Sequence, residues 1–509
     1  MIQHLVQKSS VAAKFIGAAM VLAAANRVYA QYAPPPPPAP FAGFLNEYLR
    51  EQNTNLDQLD LSGSVRERFE DKSGFAIPGV NAIDFRAHGG DVENDYWLTK
   101  LRFHGAYTDK WWSTFVEGES STASGDERFA YANVPAVAGT VAKSGQGPES
   151  DNIDLHQAYV TVGNQKQFPL TLKVGRQELS YGDERLIGAF GWNNIGRTFD
   201  AAKLRYQDQW FGVDFFVSRP VIPEDGRFDQ DNQYDTFSGV YANTSRLPVT
   251  LLETYFLSRN STSQAAAAQP SPQFPQPSAR DIYTTGGRLK NKPGAIGNWD
   301  YTLEGAYQFG DFRDSRLGAT SARLRQDAFM VDAQGGYTFS NFWATPRLGG
   351  EYIYSSGDDN PNDGKHGTFD SLFPTKHKFL GYMDFISLQN VQDVHGIFQL
   401  KPCSRMTVAV EGHGFWLADT RDSFYNATSA PRGVFGATPG NNYGINPNYR
   451  SFVGSELDVI TGVAVTRFAQ LETGYGHFFV GDYIQSSLAS PAVGSKDADY
   501  LYVQTTISF

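Results

Sequence analysis

The sequence predicts an all-β chain that closes into a transmembrane antiparallel barrel of about 18 strands. Three observations predict it: two-residue alternation of apolar and polar side chains from Leu59 onward, connections that switch between short and long, and aromatic residues gathered near strand ends. Composition agrees. The 509 residues hold 37 Phe, 26 Tyr and 8 Trp, too many for a chain that avoids burial, while 19% are charged. A mean hydropathy of −0.39 excludes a bundle of apolar spanning helices. The single Cys403 excludes an intramolecular disulfide framework and a Cys-based zinc site. A net charge of −11 leaves no footprint for nucleic-acid binding.

Taken in order, residues 1–30 read as a secretory signal peptide. Lys8 and Lys14 precede the apolar stretch Phe15–Ala25, and Val28-Tyr29-Ala30 supplies the small residues of a cleavage site. Residues 31–58 read as a stiff proline-rich periplasmic spacer, Pro34–Pro38 and Pro40, followed by a short amphipathic helix. Phe41, Phe44, Leu45, Tyr48 and Leu49 share one face of that helix, which suits a position at the barrel mouth or a plug in the pore. No later run reaches the about 18 consecutive apolar residues of a spanning helix, so any crossing from 59 to 509 is made by strands.

Within 59–509 the alternation divides each strand into two faces. Trp97, Leu101, Phe103 and Tyr107 oppose Lys100, Arg102 and His104; Trp299, Tyr301, Leu303, Tyr307 and Phe309 oppose Asp300, Thr302, Glu304 and Gln308. The last strand places Leu501, Val503, Thr505, Ile507 and the terminal Phe509 on one face, an ending that resembles the assembly signal of bacterial outer-membrane barrels. Short links such as Thr108–Lys110, Gln207–Gln209 and Lys401–Ser404 alternate with long polar stretches such as Leu179–Gly196, Gly357–Gln389 and Ala418–Gly454. That is the pattern of short periplasmic turns and long extracellular loops. Trp111, Trp112, Trp210, Trp299, Phe342, Trp343 and Trp416 fall near strand ends, where an interfacial girdle would stand.

Assigning the polar face to a water-filled lumen gives its chemistry. Basic members (Lys100, Arg102, Lys173, Lys203, Arg205, Arg288, Lys290) concentrate in the first half, and acidic ones lie mostly from Asp300 onward. The expected result is a basic wall facing an acidic one, with an anionic polymer following the former; a mutually neutralised ion-pair network is the plainer expectation. Residues 174–201 are unusually dense in Gly, Arg, Asp, Glu and aromatic residues. Arg176, Arg185 and Arg197 with Asp183, Glu184 and Asp200 could fold this stretch into the pore as a constriction. Arginine suits the task because its planar fork binds both oxygens of a carboxylate.

Here the chain closely resembles the alginate-export family of outer-membrane proteins. The resemblance rests on Gly175-Arg176-Gln177 with Tyr181-Gly182 and Arg185, then Trp192 and Arg197-Thr198-Phe199-Asp200-Ala201. A second stretch runs from Ser356-Gly357-Asp358-Asp359-Asn360-Pro361 to Leu372-Phe373-Pro374. It implies an eighteen-stranded barrel in the bacterial outer membrane through which alginate, a polyuronate, leaves the cell by an arginine-rich pore. Carried over, Arg176, Arg185 and Arg197 are constriction candidates, with Lys100, Arg102, Lys203 and Arg205 along the path.

The expected function is passive export of an anionic polysaccharide or oligosaccharide, without cofactor, metal or covalent chemistry. The surrounding lipid and periplasmic polysaccharide-synthesis proteins are the expected partners. A general or oligosaccharide-selective porin is the alternative; an outer-membrane hydrolase built around His413 and Glu411, or an adhesin barrel, is a more distant one. Asp358, Asn360 and Asn362 have the oxygen spacing of a calcium loop, but Gly364 falls one place late and Phe369 stands where the bidentate Glu belongs, so a polar turn is expected.

Overall fold

Each strand pairs with the next in chain order, and the last returns to the first. In the computed structural model the barrel strands are β1 (Leu59–Ser73), β2 (Glu93–Thr108), β3 (Trp112–Ser124), β4 (Asp151–Val162), β5 (Leu170–Gln177), β6 (Phe199–Gln207), β7 (Phe211–Ile222), β8 (Asp235–Thr244) and β9 (Thr250–Ser261). They continue as β10 (Arg280–Asn291), β11 (Trp299–Phe312), β12 (Leu324–Thr338), β13 (Arg347–Ser355), β14 (Val391–Cys403), β15 (Met406–Leu417), β16 (Phe452–Ala464), β17 (Ala469–Val480) and β18 (Ala498–Ser508). The two remaining strands, Gln230–Asp231 and Lys365–His366, have two residues each and belong to the long loops. The structure describes residues 43–52, 56, 58–77, 83–128, 149–164, 167–224, 228–262, 279–313, 322–377, 379–432 and 438–509. The expected signal peptide and proline run lie outside the described residues.

Closure is made by β18 on β1, with Ser64 opposite Ser508 and Ser73 opposite Asp499. Phe509 extends the seam by exchanging backbone hydrogen bonds of 2.9 and 3.0 Å with Gly63. A closed sheet leaves no unpaired edge, which is what lets strands cross a bilayer. No helix among the described residues is long and apolar enough to do so. The two faces separate as the alternation predicts: on β12, Val331 is 42% exposed and its neighbour Asp332 is 2% exposed. Trp111, Trp112, Trp299, Phe342 and Trp343 stand exposed at the short-turn rim.

Helix α1 (Phe44–Gln52) lies at that rim beside the seam. The Leu61 amide donates to Asn46 Oδ1 at 2.7 Å, Glu47 pairs with Arg467 at 2.6 Å, and the Phe44 ring stands 6.1 Å from that of Phe509. At the opposite end, the long loops turn inward. Phe199, Phe237, Phe369, Phe373, Phe385, Phe415 and Phe478 are buried there in one aromatic cluster shared by loops and inward-facing strand residues.

The charge division expected from the sequence is half realised. The inner face of β11–β16 is acidic: Asp300, Glu304, Asp332, Glu351, Asp393, Glu411, Glu456 and Asp458 lie on strands whose inward cation is Arg347, itself spent on Asp300 at 2.6 Å. The facing β1–β10 wall is not a basic counterpart. Arg68 pairs with Glu70 (2.7 Å), Arg102 with Glu119 and Glu178, Arg205 with Asp214 (2.8 Å) and Arg288 with Glu253 (2.5 Å). All but the Arg68–Glu70 pair within β1 join different elements, which counting residue types along the chain misses.

Candidate functional site

Residues 178–198, between β5 and β6, form a strap across the lumen. One end is held by cations on the inner face of β1 and β2. Arg66 donates to the Gly191 carbonyl (2.9 Å), Arg68 to that of Trp192 (2.8 Å) and Lys100 to that of Asn193 (2.8 Å). Asn194 is fully buried, and its amide donates to the Thr99 carbonyl at 3.1 Å. The other end is held by Arg185, whose Nε lies 2.7 Å from Asp332 on β12 and whose guanidinium bonds Glu351 on β13. The strap therefore ties β1–β2 to a wall eleven strands further along the chain.

A second loop, residues 356–390 between β13 and β14, docks on the strap by backbone hydrogen bonds. Gly188 N donates to Phe373 O at 2.8 Å, Phe373 N to Leu186 O at 3.0 Å and Thr375 N to Glu184 O at 2.9 Å. Gly188 is required at this crossing, because a Cβ there would lie 2.3 Å from Thr375 Oγ1. Glu184, Phe190 and Leu372 hold positive φ (63°, 54° and 58°), local strain that the docked contacts maintain. Trp192 is sandwiched, with the Arg68 guanidinium 3.9 Å from its ring and His377 of the second loop stacked on it at 3.7 Å and 6°. The stretch Asp358–Asn362 forms the expected polar turn, with successive Asx turns: Asn360 N donates to Asp358 Oδ1 (3.2 Å) and Asn362 N to Asn360 Oδ1 (3.3 Å).

The residues expected to form a constriction separate into three groups. Arg185 and Arg197 belong to the strap, but Arg197 is spent on backbone, donating to Gly188 O (3.1 Å), Pro374 O (3.0 Å) and Phe373 O (2.6 Å). Arg176 lies on β5, outside the strap. It shares the strand parity of Leu172 and Val174 and pairs with Asp200 (2.9 Å), while its guanidinium also reaches Asp154 (3.5 Å) and the Asp229 carbonyl (2.9 Å) beside the strap. Asp183 faces Arg288 (2.9 Å) and Lys290 (3.1 Å), while Glu184 accepts from Ser180 and from Thr375 (2.6 Å). Along the expected path, Lys100 is buried on a carbonyl and Arg102 is locked between Glu119, Glu178 and His156. Lys203 and Arg205 keep water contact at 22% and 32% side-chain exposure, with one carboxylate partner, Asp214, between them. They stand with Lys173 and Lys290 within four residues of the short-turn ends of β5, β6 and β10. Lys173 Nζ lies 3.5 Å above the Tyr159 ring, which stacks on Phe115.

Residues 57–492 match the model of a family described as alginate export. The chain belongs to the alginate-export family. A comparison with curated protein sequences finds no match. Among solved structures it is similar to Pseudomonas aeruginosa OpdK with vanillate, at 10% identity and a TM-score of 0.51, covering 88% of this chain and 99% of that one. It is also similar to P. aeruginosa OccK2 (OpdF) in complex with glucuronate, at 11% identity and a TM-score of 0.50, covering 88% and 98%. At such identities the likeness shows the fold. This alginate-export family member is thus an outer-membrane β-barrel channel with short periplasmic turns and long extracellular loops.

Sequence reasoning missed the anchors of the strap. Arg66 and Arg68 occupy the polar register of β1 and could have been flagged by parity, but their partners lie more than a hundred residues away and are backbone carbonyls, which no composition reveals. Lys376 was missed as well. It is buried beneath the docked loops and donates to Ser429 Oγ at 2.5 Å; burial, and then the charge of Arg197, bring its ammonium down to about 7. An undocked Lys titrates near ~10.4. Between these values the undocked loop binds a proton that the docked one does not, so docking strengthens as pH rises from about 7 to about 10 and is weakest below that window. Open-channel noise in this family member is expected to fall across that window, and Lys376→Met to remove the dependence.

Proposed function

We propose that this alginate-export family barrel conducts an anionic polysaccharide, an alginate-like polyuronate, passively from the periplasm to the cell exterior, without covalent chemistry. The observation that carries this reading is the set of water-facing cations Lys173, Lys203, Arg205 and Lys290 at the periplasmic ends of β5, β6 and β10, upstream of the strap. Carboxylates of an incoming chain would meet several half-buried, partly neutralised cations in succession. Each is weak enough to release its ligand, as conduction requires. The Phe115–Tyr159 stack beside Lys173 adds flat apolar surface for sugar rings. The complex of OccK2 with glucuronate is a precedent for a uronate in a barrel of this fold. Driving force would come from a concentration gradient or from periplasmic synthesis proteins at the mouth.

A porin for short acidic oligosaccharides is the second reading. It is favoured by the neutralisation of Arg185 and Arg197 within the strap, which removes both from a cationic track there. Planar-bilayer recording distinguishes the two. Polyuronate added on the periplasmic side is expected to block the current, and Lys173→Gln, Lys203→Gln and Lys290→Gln together to weaken that block about 10-fold or more, since each screened surface contact is worth up to about 1 kcal/mol. Block by short oligomers with none by the polymer would select the porin. No block by either would overturn both.

A further inference from the structure

Two histidines that the strap does not use face each other on the acidic wall. His395 of β14 and His413 of β15 are register partners, and both are buried. One ring nitrogen of each and a carboxylate oxygen of Asp393 lie within 4.8 Å of one another. His413 Nδ1 is 2.9 Å from Asp393 Oδ2, and His395 Nδ1 is 3.2 Å from Glu351 Oε2. A carboxylate therefore orients each ring at Nδ1. His413 Nε2 is buried without a hydrogen-bond partner, on a side chain that is 0% exposed. His395 Nε2 lies 3.2 Å from Glu411 Oε2 but is not aligned with it as a hydrogen bond. Asp458 is fully buried on β16 opposite Glu411 and adds a further carboxylate to this wall.

Buried carboxylates need a counter-charge, and here Arg185 is already shared by Asp332 and Glu351 and Arg347 is paired with Asp300. One divalent ion would supply positive charge at the Nε2 side of the two rings, which stack at 3.7 Å and 17° and are held at Nδ1 by carboxylates. We propose that the wall formed by β14 and β15 binds one divalent transition-metal ion, of the zinc(II) class, through Nε2 of His395, Nε2 of His413 and the Glu411 carboxylate. Asp393 and Glu351 act as the outer carboxylates that hold each imidazole by Nδ1. Imidazole with carboxylate selects this class over calcium or magnesium. Opposed cross-strand positions give the side chains the reach to chelate, provided the two rings splay from their stack so that their lone pairs converge. The site ties neighbouring strands across the lumen face and is independent of what the channel conducts.

The mature full-length barrel, purified in detergent and stripped with EDTA, is titrated with zinc(II) by calorimetry and with cobalt(II) by visible absorption. One ion per chain and the ligand-field bands of a mixed nitrogen–oxygen site are expected. Asp393→Asn is expected to weaken binding about 10- to 100-fold, and His395→Gln or His413→Gln to abolish it, in variants that keep the heat-modifiable mobility of the folded barrel. Failure of the wild-type barrel to take up either ion overturns the proposal. So does uptake that both histidine variants retain.

Discussion

Arg185→Ala is expected to raise single-channel conductance and its noise sharply while the barrel itself stays assembled. The guanidinium is buried, touches Asp332 and Glu351, and lies 4.5 Å from the Phe379 ring. Removing it strands two buried carboxylates on the β12–β13 wall, a loss of about 3–5 kcal/mol when one side of a buried ion pair is deleted. That loss falls on the docking of the strap, because no strand-to-strand hydrogen bond involves Arg185. The strap would remain tethered through Arg66, Arg68 and Lys100 at its other end and would swing away from the acidic wall. Arg185→Lys is not expected to rescue it, since one ammonium cannot span both carboxylates as the fork does. Arg176→Ala serves as the contrast: it lies on β5 outside the strap and its ion pairs are with Asp200 and Asp154, so the strap should stay docked and conductance should not change. Recordings in planar bilayers check all three, and an unaltered current through Arg185→Ala would mean that the strap is held by other contacts.

The contrast between Arg176 and Arg185 also marks what the sequence could reveal. Strand number, the alternation of turns and loops, and the lipid-facing side of β18 were legible because each depends on local rules: a period of two, a run of turn residues, a strand that ends at Phe509. The inward fold of residues 178–198 was legible in outline from the density of Gly and charge. Parity was there to be used more strictly. Lys173 and Arg176 are three residues apart on β5, so they must point to opposite faces, and Lys173 stands against Tyr159 inside the barrel. The state of each cation was not legible at all. Lys203 and Arg205 are tempered by Asp214 on β7, and Arg102 by Glu119 on β3, partners set by strand register. Arg66, Lys100 and Arg197 are held by carbonyls, which every residue carries and no sequence pattern distinguishes.

Register also predicts the largest loss of stability by a single surface change. Val331→Arg is expected to impair assembly, whereas Val331→Leu is expected to be tolerated. Val331 lies in the middle of β12, opposite Gly305 of β11. The aromatic rim at Trp299 and Tyr337 lies below it, and Tyr307 and Phe329 stand one pair above. Its side chain thus meets the centre of the apolar band, where a lipid-facing arginine costs about 2–4 kcal/mol. One residue along, Asp332 is buried inside against Arg185, so the same 3.3 Å step of backbone separates hydrocarbon from a charged lumen. Urea titration of barrels folding into lipid vesicles, read by the shift of folded mobility, checks the prediction. A folding midpoint for Val331→Arg equal to that of Val331→Leu would place this face in water and reverse the inside and outside of every strand that shares its register.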